Sequence, residues 1–245
     1  MSTYLVLSGG NASALNRLYR RKPDLSIRGQ SYGGSMRVTP REVQDRSTIV
    51  LSQDQRAVLT GTLLGDGCLA KHGRHHRLHV KHKLAHKDLA LMKYGIFRGF
   101  ISMAPHQFDQ RLSGKRYPCV QFATRTHPVF SDWHGRFYEG RRKIVPVDIA
   151  RDLSPLAVAV WLMDDGAADN AGVTFQTHGF ERAETSRLAT TLRAEFGLEA
   201  GIRRNRGSWI VYVPARSVRD LAEMVRGYVL PGFEYKLTPR RSRTP

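Results

Sequence analysis

Two short apolar stretches decide the fold, LTGTLLGDG at residues 59–67 and VAVWLMDDG at residues 158–166. Each has the composition of a buried helix and ends in an acidic residue followed by glycine. A single Asp-Gly pair usually marks only a turn or a helix end. Two such pairs, Asp66-Gly67 and Asp165-Gly166, stand at matching places in apolar helices and therefore indicate a duplicated unit.

The sequence around the two stretches repeats as well. Ser52 and Gln55 form a capping box before the first stretch, and Ser154-Pro155 reads as an N-cap before the second. A hairpin, a helix, a strand pair and a short helix follow in each copy. The matched landmarks are Asp66 with Asp165, His82 with His178, Phe100 with Phe196, and Phe122 with Tyr212. We predict an α+β fold of two pseudo-symmetric αββαββα repeats that pack through the paired motif helices, each with a curved antiparallel sheet.

The predicted boundaries divide the chain into four parts. These are a basic irregular N-terminal arm at 1–48, a first repeat at 49–148, a second repeat at 149–238, and a basic tail at 239–245. The arm is rich in glycine and serine, with only short apolar runs. This composition fits a disordered leader and a DNA-contacting arm equally well.

Composition excludes several classes of protein. The 245 residues contain 39 Lys and Arg against 21 Asp and Glu, a formal net charge of +18. No apolar run approaches the ~20 residues of a membrane-spanning helix, and the N-terminus lacks a secretory-signal pattern. The two cysteines, Cys68 and Cys119, cannot build a disulfide framework. We expect an intracellular protein with a polyanionic partner and no membrane contact, in a bacterial or archaeal cytoplasm or an organelle matrix.

The paired acids point to metal chemistry. Gly61 and Gly65 would let a second helix approach closely, and side-by-side packing would bring Asp66 next to Asp165. Adjacent carboxylates repel, so each pKa would rise unless a divalent cation lies between them. Oxygen ligands favour magnesium, calcium or manganese.

The two stretches resemble the paired motifs of LAGLIDADG homing endonucleases, in the single-chain, two-repeat form. The resemblance covers about residues 50–238, and its most specific part is RKIVP at 142–146, LSP at 153–155 and WLMDDG at 161–166. This run, with a terminal Pro231 and YKL at 235–237, is similar to the branch found in yeast mitochondrial introns. Leu64 departs from the family pattern, as do Val160 and Trp161, which implies an asymmetric helix seam.

The resemblance implies a function and its residues. The chain would be a monomeric, site-specific endonuclease that hydrolyses both strands of double-stranded DNA across the minor groove of a long, non-palindromic target, leaving short 3′ overhangs. The catalytic residues would be Asp66, Asp165, Lys143 and Lys236. The cofactor would be Mg²⁺, with Mn²⁺ as a substitute and Ca²⁺ supporting binding without cleavage. The expected metal site consists of Asp66, Asp165, Gly65 and Asp164.

Basic and amide side chains on the predicted ribbons are the candidate DNA contacts, because Arg and Lys suit guanine edges and phosphates while Gln and Asn suit adenine. The candidates are Lys71, Arg74, Arg77, His79, Lys81, Gln121, Arg125, Gln176, His178, Arg203, Arg204, Asn205, Arg206 and Trp209.

Two alternatives remain open. His72, His75, His76 and His79, with Cys68 nearby, have spacings that could hold zinc, although strand alternation would separate them. The same fold could also serve an RNA maturase or a DNA-binding regulator that has lost catalysis, although both acids are present here. The chain ends show no splicing residues, so we do not expect an intein.

Overall fold

The computed structural model describes residues 49–169 and 172–238. The predicted arm at 1–48 and tail at 239–245 lie outside these residues. Within the described part, no helix is both long and apolar enough to cross a membrane.

The first repeat follows the predicted αββαββα order. Its elements are α1 (Gln53–Leu64), β1 (Cys68–His72), β2 (His75–Lys83), α2 (Lys87–Ile96), β3 (His106–Leu112), β4 (Lys115–Ala123) and α3 (Pro128–Phe137). The capping box is present as predicted: the Ser52 hydroxyl accepts from the Gln55 amide, and the Gln55 side chain accepts from the Ser52 amide. A small hairpin, β5 (Tyr138–Glu139) with β6 (Arg142–Lys143), connects to the second repeat.

The second repeat has the same order. Its elements are α4 (Pro155–Asp165), β7 (Gly166–Asp169), β8 (Gly172–Phe175), α5 (Arg182–Phe196), β9 (Gly201–Asn205), β10 (Ser208–Pro214) and α6 (Ala215–Val225). Ser154 caps α4 through the Ala157 amide, and Pro155 occupies the first turn, as predicted. A short 3₁₀ turn, Glu234–Leu237, follows α6.

The two antiparallel sheets have matching topologies. Their strand orders are β1-β2-β4-β3 and β7-β8-β10-β9. The predicted α+β fold class with two equivalent repeats is therefore confirmed. Apolar residues on the inner side of each sheet join the two motif helices in one core.

The motif helices α1 and α4 pack against each other at a glycine. A Cβ atom added at Gly61 would lie 2.3 Å from the Ala157 carbonyl oxygen and 2.7 Å from Val160 Cβ. Gly65 makes the next close contact, since its added Cβ would lie 2.5 Å from Asp164 Cβ. The close helix approach predicted from these glycines is present, with Val160 as the bulkier side of the seam.

Three details differ from the sequence interpretation. Cys68 and Ala167 each stand two residues after a motif acid, and they pair with His79 and Thr174. His79 and Thr174 are therefore equivalent positions. Three residues further along the chain, the equivalent of His82 is Thr177, not His178. The ring of Trp161 lies 4.2 Å from that of Phe175 in β8, which places it against the sheet. The hairpin β5–β6 was not predicted, because its two-residue strands are too short to show a periodicity.

Candidate active site

The two motif acids stand at the C-terminal ends of α1 and α4. Asp66 follows the Gly65 cap of α1, and its side chain is half exposed at 52%. Asp165 is the last residue of α4 and is partly buried. Burial, then the charges of Asp66 and Asp164, raise the pKa of Asp165 to about 7. The charge of Asp66 thus disfavours ionisation of Asp165, which is the effect expected between neighbouring carboxylates.

Each predicted lysine caps the helix that carries an acid. Lys143, delivered by β6, donates from Nζ to the Gly65 carbonyl at 2.7 Å. Lys236, in the 3₁₀ turn, donates to the Asp164 carbonyl at 3.1 Å and to the Met163 carbonyl at 2.6 Å. Gly65 and Asp164 each precede a motif acid, so the two contacts are equivalent.

We call Asp66, Gly65 and Lys143 the first half-site, and Asp165, the Asp164 carbonyl and Lys236 the second half-site. Burial lowers the pKa of both lysines, and the nearby carboxylates partly oppose this effect.

A buried polar cluster lies directly beneath the first half-site. Lys93 on α2 is fully buried and donates from Nζ to both carboxylate oxygens of Asp164, each at 2.7 Å. The same Nζ lies 3.3 Å from Nε2 of His82 on β2. We call Asp164, Lys93 and His82 the buried triad. Burial raises the pKa of Asp164, and the ammonium of Lys93 acts in the opposite direction. Burial and the charge of Lys93 lower the pKa of His82 to about 2, so its ring is neutral.

Lys93 was not predicted from the sequence to have a role, and His82 was considered only as a landmark of the repeat. A signal was present, because Lys93 stands four residues after Leu89 on the apolar face of a predicted helix. A cation at such a position needs a buried partner.

The donor atoms fit a divalent cation. Asp66 and Asp165 supply carboxylate oxygens, the ligands that Mg²⁺, Mn²⁺ and Ca²⁺ prefer. Among the described residues, the group of His, Cys, Asp and Glu side chains that converges is Asp66, His82 and Asp164, with one ligand atom of each within 4.8 Å of the others. The Asp164 carboxylate is held by Lys93, which leaves its backbone carbonyl facing the second half-site.

The outer face of the first sheet, opposite the core, carries predicted DNA contacts. Arg77, His79 and Lys81 alternate along β2 with the buried Leu78 and Val80. This alternation puts the three cationic or polar side chains on one surface.

The other candidates in the first repeat are more dispersed. Gln121 pairs with Lys81 across the strands, and its Nε2 lies 2.8 Å from His106 Nε2. Arg74 stands in the β1–β2 turn, and Arg125 donates to the Gly99 carbonyl after β4. Lys71 pairs with His76 and points to the opposite side of the sheet.

The second sheet separates its candidates onto two faces. Arg203 lies 4.4 Å from the ring of Tyr212 on the outer face, which Asn205 shares by alternation. Arg206, with φ 48°, and Gly207 form the tight β9–β10 turn. Gln176 and the exposed His178 follow β8 directly.

Arg204 and Trp209 lie on the helix side of this sheet. The Trp209 ring is held between Arg182 of α5, at 4.8 Å, and Arg204, at 5.4 Å. Trp209 alternates with Val211 and Val213, which belong to the core, so it faces away from the outer surface. These two residues brace the sheet against α5.

The histidine-rich strand does not gather its rings. His76 points inward, where it stacks on His134 at 3.9 Å and its Nδ1 lies 3.1 Å from Ser131 Oγ. His75 and His79 occupy the other face by alternation. Nothing in residues 49–169 and 172–238 brings the four proposed zinc ligands together.

A duplicated unit, paired acids at the junction and two sheets with cationic outer faces define a class: single-chain, two-repeat proteins with a carboxylate-centred site. A protein-family model described as "LAGLIDADG DNA endonuclease family" matches residues 56–221, more than half of the chain. The chain therefore belongs to this family, and the resemblance seen in the sequence is confirmed.

Similar proteins carry two kinds of name. "Cytochrome b mRNA maturase bI2" of Debaryomyces hansenii is 26% identical, over 76% of this chain and 74% of its own length. "Probable intron-encoded endonuclease 1" of Wickerhamomyces canadensis is 24% identical, over 76% of this chain and 85% of its own length. A solved structure, "The homing endonuclease I-WcaI bound to its DNA recognition sequence", has a TM-score of 0.74 at 24% identity and covers 84% of this chain and 96% of that one. It has the same fold.

Proposed function

We propose that this protein is a metal-dependent, site-specific DNA endonuclease that cuts both strands of a long, non-palindromic duplex across the minor groove and leaves short 3′ overhangs. The observation that carries the proposal is the pair of equivalent half-sites, each with a carboxylate at a helix end and a lysine on the preceding carbonyl. The names of the endonuclease relatives and of the DNA-bound homing endonuclease support it. Because a site-specific duplex target is genomic DNA, we propose that the protein acts inside a cell or an organelle.

The residues have separable tasks. Asp66 and Asp165 would hold Mg²⁺ or Mn²⁺, with the carbonyls of Gly65 and Asp164 beside them. A bound divalent ion would stabilise the charge on the reacting phosphate and lower the pKa of an attacking water. Lys143 and Lys236 place ammonium groups at the two helix ends, where they can stabilise negative charge that develops on the phosphate. The outer faces of the two sheets would follow the major groove on either side of the cut.

One chain supplies both half-sites, so we propose a monomer that recognises an asymmetric target. Light scattering of the protein with its DNA would measure the stoichiometry. An obligate dimer, or a perfectly palindromic target, would contradict this part of the proposal.

The direct test uses a randomised duplex library incubated with the purified protein and Mg²⁺, followed by sequencing of the cut ends. Asp66→Asn and Asp165→Asn should abolish double-strand cleavage, while binding of the selected target in Ca²⁺ persists, because the acids lie away from the outer faces. Asp148→Asn is the matched control, since it neutralises an acid that pairs with Arg136 away from the site. Unchanged cleavage by both motif variants would refute the assignment.

A second candidate function is RNA splicing support as a maturase, which the name of the Debaryomyces hansenii relative favours. The two functions differ in substrate and in the need for the acids. A maturase would promote splicing of an intron RNA equally well with Asp66→Asn and Asp165→Asn. Loss of splicing support in these variants would argue against an acid-independent role.

A further inference from the structure

The buried triad makes the support beneath the two half-sites unequal. In the second repeat, Thr177 occupies the register position of His82, and α5 buries Leu188 and Ala189 on its core face. Gly65 stands opposite Asp164 across the helix seam. A polar, charged cluster thus lies beside one motif acid, while the matching positions of the other repeat hold Thr177 and the buried Leu188 and Ala189.

Lys93 determines which nitrogen of His82 carries the proton. An ammonium group has three donors and no acceptor. Two of its contacts are the Asp164 carboxylate oxygens at 2.7 Å, and a third is His82 Nε2 at 3.3 Å. Nε2 also lies 3.6 Å from Asp164 Oδ1, which is beyond hydrogen-bond distance, so the Lys93 ammonium is its partner and the Nε2 lone pair accepts. In the neutral ring, the proton then resides on Nδ1.

The protonated nitrogen faces the first motif acid. Nδ1 of His82 lies 3.9 Å from Oδ2 of Asp66, whose side chain is half exposed. The two atoms lie just beyond hydrogen-bond distance and face each other. An Nδ1–H group offers no lone pair to a metal ion, so His82 in this tautomer orients Asp66 instead of joining the ligand set.

We propose that Lys93 and Asp164 are positioning residues that fix His82 as an Nδ1–H donor to Asp66, and thereby hold the acid of the first half-site in place. The kinetic consequence rests on the proposed endonuclease function, whereas the tautomer does not. The second half-site has no such histidine at its equivalent position, where Thr177 stands, so loss of His82 should slow one strand selectively.

The tautomer is tested directly by NMR. In ¹⁵N-labelled protein, a correlation through the ring protons distinguishes protonated from bare ring nitrogens, and the signal missing from His82→Gln assigns His82 among the ten histidines. The expected result is an Nδ1–H ring that persists in Mg²⁺. An Nε2–H ring, or a ring whose Nδ1 loses its proton to added Mg²⁺, would overturn the proposal.

The positioning role is tested with three variants. Removing Lys93 alone would leave a buried carboxylate without its cation, so Lys93→Met is combined with Asp164→Asn to remove both charges. His82→Leu removes the donor and the acceptor, whereas His82→Gln keeps a carbonyl for Lys93 and an amide for Asp66. Met92→Leu, a buried neighbour on α2, is the matched packing control.

Cleavage of a supercoiled plasmid carrying the target reports each strand separately. His82→Leu should slow one strand about 10–100-fold, the usual effect of losing a group that orients a ligand, and the double variant should slow that strand at least as much. Asp164→Asn also removes a charge beside Asp165, so the single-strand effect is judged on His82→Leu. Nicked circular plasmid should then accumulate with His82→Leu. His82→Gln should produce less nicked plasmid than His82→Leu, and Met92→Leu should produce no more than wild type. Equal slowing of both strands by His82→Leu, or no advantage of Gln over Leu, would refute the role. If wild type cuts no DNA, the endonuclease proposal fails and NMR alone decides the tautomer.

Discussion

Replacing Asp165 by asparagine should stabilise the metal-free protein near neutral pH, although it removes a residue of the proposed site. Burial and the charges of Asp66 and Asp164 raise the pKa of Asp165 from an ordinary value of 3.8 to about 7. The native state therefore binds a proton more tightly than the unfolded chain. The free energy of unfolding then falls as pH rises from about 4 to about 7, and this cost persists above pH 7.

The size of the effect follows from the same two values. A tenfold difference in proton affinity corresponds to about 1.4 kcal/mol, so the interval from 3.8 to about 7 is worth about 4 kcal/mol. This figure is an upper bound, because Asp165 is partly solvent-accessible and water screens its neighbours. Half of this free energy, about 2 kcal/mol, would raise the melting temperature of Asp165→Asn above that of wild type by about 4–8 °C for a protein of this size.

Thermal unfolding of wild type and Asp165→Asn in EDTA, at pH 4.5 and pH 8, measures the difference. The melting temperature of Asp165→Asn should exceed that of wild type at pH 8 and nearly equal it at pH 4.5. Ca²⁺ at pH 8 should reduce this difference, because it stabilises wild type. Arg136 lowers the pKa of Asp148, so Asp148→Asn is an opposite-sign control that costs about 1 kcal/mol or less at pH 8. Equal melting temperatures of wild type and Asp165→Asn at pH 8, or a difference at pH 4.5 as large as that at pH 8, would refute the reasoning.

Three further predictions concern the lysines, the helix seam and the charge. Lys143→Met and Lys236→Met should each slow one strand by about 10²–10³, and plasmid assays should show nicked circle, with opposite strands slowed; equal rates for both strands would contradict the assignment. Gly61→Ala should lower stability by about 1–3 kcal/mol in urea unfolding, because its Cβ would lie 2.3 Å from the Ala157 carbonyl; an unchanged midpoint would show that the seam relaxes. DNA affinity should fall with salt at a slope of about −0.9 per neutralised phosphate in log–log titrations, and a flat titration would remove DNA as the partner.

Local patterns were sufficient to predict the elements of the two repeats and their order. The capping box at Ser52, the Ser154-Pro155 start and the matched Asp-Gly ends each depend on residues a few positions apart. Duplication then fixed the topology, since one pattern had to serve two units. The seam at Gly61 was also predictable, because only a small side chain permits such a close helix approach.

The faces of the second sheet and the buried triad were not predicted from the sequence. Trp209 and Arg204 look like interface residues by composition, yet strand register turns them toward Arg182 on α5. Register depends on pairing between distant strands, so a one-residue difference moves a side chain to the other face. Lys93 was overlooked for a related reason: its partner Asp164 is 71 residues away and meets it only after both repeats have packed.

The comparison of the two repeats separates what the site requires from how the site is held. The elements that would face metal and phosphate match: an acid at a helix end and a lysine on the carbonyl before it. The support beneath them differs, with His82 and Lys93 in the first repeat and Thr177 with apolar packing in the second. Chemistry on two antiparallel strands needs equivalent half-sites, because each strand presents the same phosphodiester. In a single chain, the residues packed beneath the two half-sites need not be symmetric. They can therefore differ without changing the acid and the lysine that each half-site presents to the DNA.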